Sequence, residues 1–306
     1  MNNKTKILIP GGTGFIGYHL IVYLVKKGWI VHSLSKFKPK KTRKVKGAKY
    51  IYCDVRDKKK LRSKLDKYYD YIVNLSGYVD HSNNQSITKI HFNGCKNLIF
   101  NYLNNKPKKF IQIGSSIEYG KQRSPQRENK KNLQETYSTY GNAKLLSTKF
   151  LLEQKKKYNF PITIIRLYLV YGPKQDLNRL IPITIMNALK KVKFNCSAGK
   201  QLRDFIYIDD FINLTYKLFK LKKKFLIVNI SSSKPVILRN VIKIIRDICN
   251  PKLKVKYTKS KFRMIPVRRV SNSLLKKIIK FKINYSMESG LKKTIEWYKK
   301  NSNDSK

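Results

Sequence analysis

One segment, GGTGFIG at residues 11–17, constrains this chain more than any other part of it. It follows an apolar run at 6–9 and opens a helix-periodic apolar stretch at 15–27 that stops at Gly28. The spacing therefore predicts a strand, a tight turn and a helix in immediate succession. Gly11 allows the turn, Gly14 lets a bound group approach the backbone, and Gly17 lets helix and strand pack closely. The helix start, with Phe15 and Ile16 in its first turn, offers backbone N–H donors and the positive end of the helix dipole. A pyrophosphate suits that arrangement. Glycine clusters elsewhere usually mark turns only; between this strand and this helix they predict a dinucleotide site.

The first half of the chain continues to alternate. Strands are predicted at 29–35, 50–53, 71–75, 110–115 and 162–167, with helices at 58–68, 87–103 and 137–157. This alternation implies an α/β fold, a Rossmann doubly wound parallel sheet with helices on both faces. After Gly172-Pro173 the pattern loosens into helices near 180–190, 209–222 and 239–248, with short strands at 225–228 and 253–257. The expected organisation is a dinucleotide-binding domain over 1–172. A smaller C-terminal α/β substrate lobe, with interleaved segments, follows over 173–306.

The second strand indicates which dinucleotide. NAD sites carry an acid at its end for the ribose 2′-hydroxyl. Here the strand ends in Ser35-Lys36, and no Asp or Glu occurs before Asp54. A hydroxyl followed by Lys36, Lys38 and Arg43 would receive a 2′-phosphate, so NADP(H) is favoured and NAD(H) stays possible. In a chain so rich in lysine, a lysine at this place carries limited weight. Asp54-Val55, after the third strand, would flank the adenine.

That lysine content has its own implications. Across 306 residues, 68 Lys+Arg face 17 Asp+Glu, giving a formal charge of +51. Such an excess suits a polyanion partner. The basic runs are spread along the whole chain, however, and no aromatic-rich stacking signature accompanies them, so nucleic acid is disfavoured. A hydrophobic content of 41% excludes a wholly disordered basic tail. No apolar run reaches the roughly 18 residues of a membrane span. The opening MNNKTKILIP lacks a signal-like apolar core, which predicts a cytoplasmic protein. Cys53, Cys95, Cys196 and Cys249 form no CxxC pair, so reduced structural thiols and no metal site are expected.

Tyr140 and Lys144 stand four apart on the predicted helix 137–157 and so share one face. A nearby ammonium favours the phenolate and suits the tyrosine to proton transfer. Together with GGTGFIG, the segments GSSIEYG at 114–120 and YGNAK at 140–144 resemble the extended short-chain dehydrogenase/reductase family. That family comprises NAD(P)-dependent nucleotide-sugar epimerases, dehydratases and reductases. RLYLVYGP at 166–173, RDFIYIDDF at 203–211 and YSMESGLKKTIEWYKK at 285–300 extend the similarity over essentially the whole chain.

The resemblance implies roles. Ser115 matches the hydroxyl that bonds the reacting oxygen, Tyr140 the general acid/base, and Lys144 the residue that holds the nicotinamide ribose and biases the tyrosine. Ser116, Arg203 and Arg268 (or Arg263) match substrate contacts, with Arg203 on the nucleotide-sugar phosphates; the bland reading of Arg203 is a salt bridge to Asp204 or Asp209. A homodimer through the helices that begin near Ile87 and Tyr137 is also implied.

Departures narrow the reaction. Dehydratases of the family carry Asp-Glu where this chain has Ser116-Ile117, and Glu118, one strand step later, would point to the other face. Leu169 stands where epimerases often have a substrate-contacting Asn, and His91 where many members have Asn. The stretch 178–211 is most similar to 4-keto-6-deoxyhexose reductases of the CDP-abequose synthase group. The expectation is NADP(H)-dependent reduction of the C4 ketone of a nucleoside-diphosphate 4-keto-6-deoxyhexose. An NAD-dependent 4-epimerase is the alternative, and a degenerate nucleic-acid-binding member of the fold a remoter one.

Overall fold

The computed structural model describes residues 4–77, 84–128, 136, 138–258 and 269–301. Six strands, β1 (Lys6–Pro10), β2 (Ile30–Ser35), β3 (Ala48–Tyr52), β4 (Tyr71–Asn74), β5 (Lys109–Ser115) and β6 (Ile162–Leu167), pair in parallel. A seventh, Phe225–Ile230, continues the sheet beyond β6, giving the order β3-β2-β1-β4-β5-β6 and then the seventh. Strands covered on both faces read as near-continuous apolar runs. Ile7, Leu8 and Ile9 of β1 and Ile162, Ile164 and Ile165 of β6 are accordingly fully buried. The strand order turns back between β1 and β4, which makes the crevice at their carboxyl ends the natural ligand site of such a sheet.

Helices α1 (Phe15–Lys26), α2 (Lys58–Lys64), α3 (Asn84–Thr88), α4 (Gly94–Asn101) and α5 (Thr139–Tyr158) accompany the sheet. Three differ from their sequence expectation, the one expected at 58–68 ending already at Lys64. The stretch 87–103 is not one α-helix: a π-helical turn, Lys89–Asn93, separates α3 from α4 and buries His91. The helix expected from 137 starts at Thr139, where Ser138 Oγ accepts the Gly141 N–H at 3.1 Å; Tyr137 lies outside the described residues. At its far end Asn159 adopts a left-handed conformation, φ 50°, and three lysines of the last turn face the negative end of the dipole.

The chain forms two compact units, Met1–Gln122 with Glu128–Leu167 and Thr215–Asn229, and Arg123–Arg127 with Tyr168–Leu214 and Ile230–Lys306. The boundary anticipated at 172 thus falls at Leu167. The strand anticipated at 225–228 in the smaller lobe instead joins the main sheet, where Leu226, Ile227 and Val228 are buried. Lys109 secures the helix leading to it by donating to the carbonyls of Leu218 and Leu221, each at 2.6 Å.

In the second unit, helices Leu180–Leu189, Leu238–Cys249 and Met287–Lys300 pack on one another. Leu169–Tyr171 pairs with Phe205–Tyr207, Leu202–Arg203 with Val236–Ile237, and Val255–Thr258 with Phe194–Ser197. No helix among the described residues is long and apolar enough to cross a membrane.

Candidate active site

The glycine loop joins β1 to α1 at the carboxyl end of the sheet. Gly11 has φ +80°, and its N–H donates to Leu34 O at 2.8 Å. A Cβ on Gly11 would lie 2.6 Å from the Leu75 carbonyl carbon, so the β1 and β4 loops meet here too closely for any side chain. A Cβ on Gly17 would lie 2.5 Å from Gly12 Cα. Among the described residues, a Cβ on Gly14, by contrast, would meet only Gly11 O, at 3.3 Å. Gly14 is the N-cap of α1, no side chain caps that end, and its first turn holds no acid. The first-turn donors of Phe15, Ile16 and Gly17 therefore face a position open to an anion, and the loop fits a dinucleotide pyrophosphate.

The end of β2 adjoins this loop. Ser35 Oγ accepts from the Thr13 hydroxyl at 3.0 Å and donates to Leu34 O at 2.7 Å. Lys36 and Lys38 are exposed, whereas Arg43 is buried in a short helical turn, Lys41–Arg43. The Asp54 carboxylate is engaged by Arg56, with Nε to Oδ1 at 3.0 Å and Nη2 to Oδ2 at 2.7 Å. The hydrogen bonds from Arg56 hold its pKa below the ordinary aspartate value. Val55 is buried, packs where Gly94 leaves room, and gives its carbonyl to Asn97 Nδ2 at 3.0 Å.

Ser115 closes β5 and caps a turn of 3₁₀ helix, Ser116–Tyr119. Its Oγ accepts the Ile117 N–H at 3.3 Å, and its own N–H donates to Glu118 Oε1 at 2.7 Å, a reciprocal capping box. Residues 116–119 are therefore helical, and strand pleat does not set the direction of Glu118. Glu118 does turn away from the Ser115 hydroxyl, but through the cap: its Oε2 accepts from Thr148 Oγ1 at 2.8 Å and Arg166 Nε at 3.3 Å. The Arg166 guanidinium also lies 4.4 Å from the Tyr119 ring centroid.

Tyr140 sits in the first turn of α5, and the Lys144 ammonium lies 5.8 Å from its ring centroid. Lys144 is buried and donates to Ile113 O on β5 at 2.7 Å. Burial lowers its pKa from 10.5 to about 8, against the opposing influence of Glu118. The π-helical turn brings the His91 ring edge-on to Tyr140, with centroids 5.1 Å apart, and a side chain on Gly77 would overlap that ring. One compact unit thus holds Ser115, Tyr140 and Lys144 together with the glycine loop. Arg203 belongs to the other unit, where its Nη1 donates to Leu202 O at 2.8 Å. Neighbouring Asp204 accepts from Ser232, through its N–H at 3.0 Å and its hydroxyl at 2.8 Å. Arg268 and Arg263 lie outside the described residues.

A model of the NAD dependent epimerase/dehydratase family matches residues 7–231. The chain belongs to this family. It is 30% identical over 323 residues to a UDP-N-acetyl-alpha-D-glucosaminuronate decarboxylase of Bacillus cytotoxicus, covering 98% of this chain and all of the relative (100%). A CDP-abequose synthase of Salmonella muenchen is 24% identical over 305 residues, covering 95% of this chain and 97% of the relative. Among solved structures, a UDP-glucose 4-epimerase of Thermotoga maritima with UDP-glucose superposes at a TM-score of 0.90 and 20% identity. It covers 97% of this chain and 100% of that one, a likeness of fold.

The contacts of Glu118, Thr148 and the Ile113 carbonyl were not anticipated from the sequence. One signal was present: Ser115 and Glu118 have the Ser-x-x-Glu spacing of a capping box. Nothing local marked Thr148 or Ile113, which approach only when α5 lies against β5.

Proposed function

We propose that this family member is an NADP(H)-dependent reductase of the C4 ketone of a nucleoside-diphosphate 4-keto-6-deoxyhexose. The observation that carries the reading is the end of β2. There, Ser35 and the exposed Lys36 and Lys38 stand where an NAD site would hold a carboxylate, and the nearest acid in sequence, Asp54, is engaged by Arg56. The similarity to a CDP-abequose synthase supports the choice of substrate class.

Bound NADPH would supply the hydride. The Tyr140 hydroxyl gives its proton to the oxygen at C4, the Ser115 hydroxyl orients that oxygen, and the Lys144 ammonium stabilises the phenolate left behind. With one N–H committed to Ile113 O, Lys144 keeps two for the ribose and the tyrosine. Ser116 and Arg203 are proposed substrate contacts, Arg203 for the diphosphate. A homodimer through α4 and α5 belongs to the same reading, supported by the exposure of Phe100 and Leu146 on those helices.

Titration with NADPH and NADH, followed by nicotinamide fluorescence at moderate salt, tests the proposal. NADPH should bind at least about 10-fold more tightly, and Lys36→Glu should remove that preference. Tyr140→Phe should lose turnover by about 10²–10⁴-fold while still binding NADPH.

A 4-epimerase is the second reading, favoured by 25% identity over 316 residues to a UDP-glucuronate 4-epimerase of Thermodesulfobacterium geofontis. Preference for NADH, NAD retained through purification, and interconversion of sugars without net cofactor use would establish it instead. Release of carbon dioxide from a nucleotide uronate would align the protein with its Bacillus relative and refute both readings.

A further inference from the structure

Glu118 is a buried carboxylate, 1% exposed, that takes no part in the chemistry proposed above. Its contacts reach three elements. Oε1 accepts the Ser115 N–H at the end of β5, while Oε2 accepts Thr148 Oγ1 from α5 and Arg166 Nε from β6. We infer that Glu118 is a positioning residue, clamping the Ser115 turn to the helix that carries Tyr140 and Lys144. The inference rests on the Ser115–Tyr140–Lys144 reading of the site.

Two further features fit the clamp. Lys144 and Thr148 are one helical turn apart on the same face of α5, and both are tied to the end of β5. Lys144 reaches Ile113 O directly, and Thr148 reaches the Ser115 N–H through Glu118. Two successive turns of α5 are thereby fixed to a strand segment three residues long, which sets the separation of hydroxyl, phenol and ammonium. Gly114 is the second feature. A Cβ there would collide with Glu118 Oε1, so the glycine between Ile113 and Ser115 makes room for the carboxylate.

A hydrophobic replacement for a buried ion pair is often neutral or stabilising, so global stability alone is a weak reason for Glu118 and Arg166 to be here. Geometry and charge at the site are stronger ones. Lys144 faces Glu118 from the 3₁₀ turn, Cys95 from α4 and Tyr140 on its own helix; His91, in the π-helical turn, faces Tyr140. Glu118 in turn faces Arg166, whose guanidinium lies over Tyr119. Of the groups acting on Lys144, Glu118 is the main one that favours the ammonium against burial. Removing its charge lets the Lys144 pKa fall further.

The test uses Glu118→Gln and Thr148→Val in the full chain. In Glu118→Gln, NADPH binding should weaken with rising pH at a lower pH than in the wild type. A role confined to folding would not move that limb. Thr148→Val should leave the limb in place, reduce kcat by at least about 10-fold at unchanged KM, and accelerate amide hydrogen exchange at Ser115. If Glu118→Gln leaves Arg166 unpaired and does not fold, Thr148→Val decides alone. A folded Thr148→Val protein with wild-type kcat and wild-type exchange at Ser115 overturns the clamp, as does an unmoved limb in folded Glu118→Gln. Should the wild type bind no nicotinamide cofactor, the proposed function fails instead, and exchange at Ser115 still decides the clamp.

Discussion

Gly14 and Gly17 belong to one motif, yet the structure gives them opposite sensitivities to a single methyl group. Alanine at 17 would place its Cβ 2.5 Å from Gly12 Cα and 2.6 Å from Gly12 O, against an ordinary contact of 3.4–4 Å. The shortfall is about 1 Å against backbone that cannot yield easily, because the Gly12 N–H is bonded to Ile9 O at 3.0 Å. Alanine is the better helix former by about 1 kcal/mol, but overpacking of this kind costs about 1–3 kcal/mol. With backbone on both sides of the clash we place the cost at the upper end, for a net loss of about 2 kcal/mol. That corresponds to a fall of about 3 °C in Tm for a chain of this size.

Among the described residues, alanine at 14 meets only Gly11 O at 3.3 Å, and the backbone there, φ −76°, suits any residue. Unliganded stability should change by no more than about 0.5 kcal/mol. The methyl would, however, stand where a pyrophosphate oxygen approaches the α1 N-terminus, so cofactor affinity should fall by at least about 10-fold, or 1.4 kcal/mol. Differential scanning calorimetry without ligand, paired with a fluorescence titration of NADPH and NADH, separates the two effects. Equal loss of Tm in both variants, or full cofactor affinity in Gly14→Ala, would refute the division of labour within the loop.

Other expectations concern stability. The buried Lys109 has its pKa lowered from 10.5 to about 8 by desolvation, so the unfolded chain binds more protons between those values. Its contribution to stability should therefore grow as pH rises from 8 towards 10.5. The unfolding free energy of the wild type minus that of Lys109→Met, read from urea unfolding, should rise over that window; a fall in that signed difference would count against the assignment. At Asn159, where φ is 50°, Val should cost about 1–2 kcal/mol and Gly should be tolerated, as measured by thermal unfolding. Finally, Asp54→Asn should leave cofactor preference unchanged, since Arg56 already engages that carboxylate. A switch in NADPH over NADH selectivity would show that Asp54 contacts the cofactor.

Much of the site was legible because its logic is local. The 11–17 glycines follow from backbone sterics inside one strand–turn–helix, and the four-residue spacing of Tyr140 and Lys144 follows from helix geometry. Elements whose setting is decided by distant partners were read less well. Residues 225–228 have the apolar content of any buried strand; only packing beside β6 places them in the main sheet. The π-helical turn at Lys89–Asn93 leaves no periodic trace in an apolar stretch of this length, yet it delivers His91 to Tyr140. For Glu118, strand pleat gave the right outcome for the wrong reason, because β5 ends at Ser115 and the chain then turns helical.

By itself, then, the sequence determined the alternation of strands and helices through β6 and the strand–glycine turn–helix at 11–17, and it marked Tyr140 and Lys144 as a candidate pair, all through interactions within a few residues. The capping box that joins Glu118 to Ser115 is local, but tertiary structure alone decided that Thr148, Arg166 and the Ile113 carbonyl join them around Lys144. Those groups are 30 to 48 positions from their partners, as in Thr148–Glu118, Lys144–Ile113 and Arg166–Glu118. Only the stacking of α5 and β6 against the end of β5 brings them together, because a buried charge must find its hydrogen-bond partners wherever in the fold they lie.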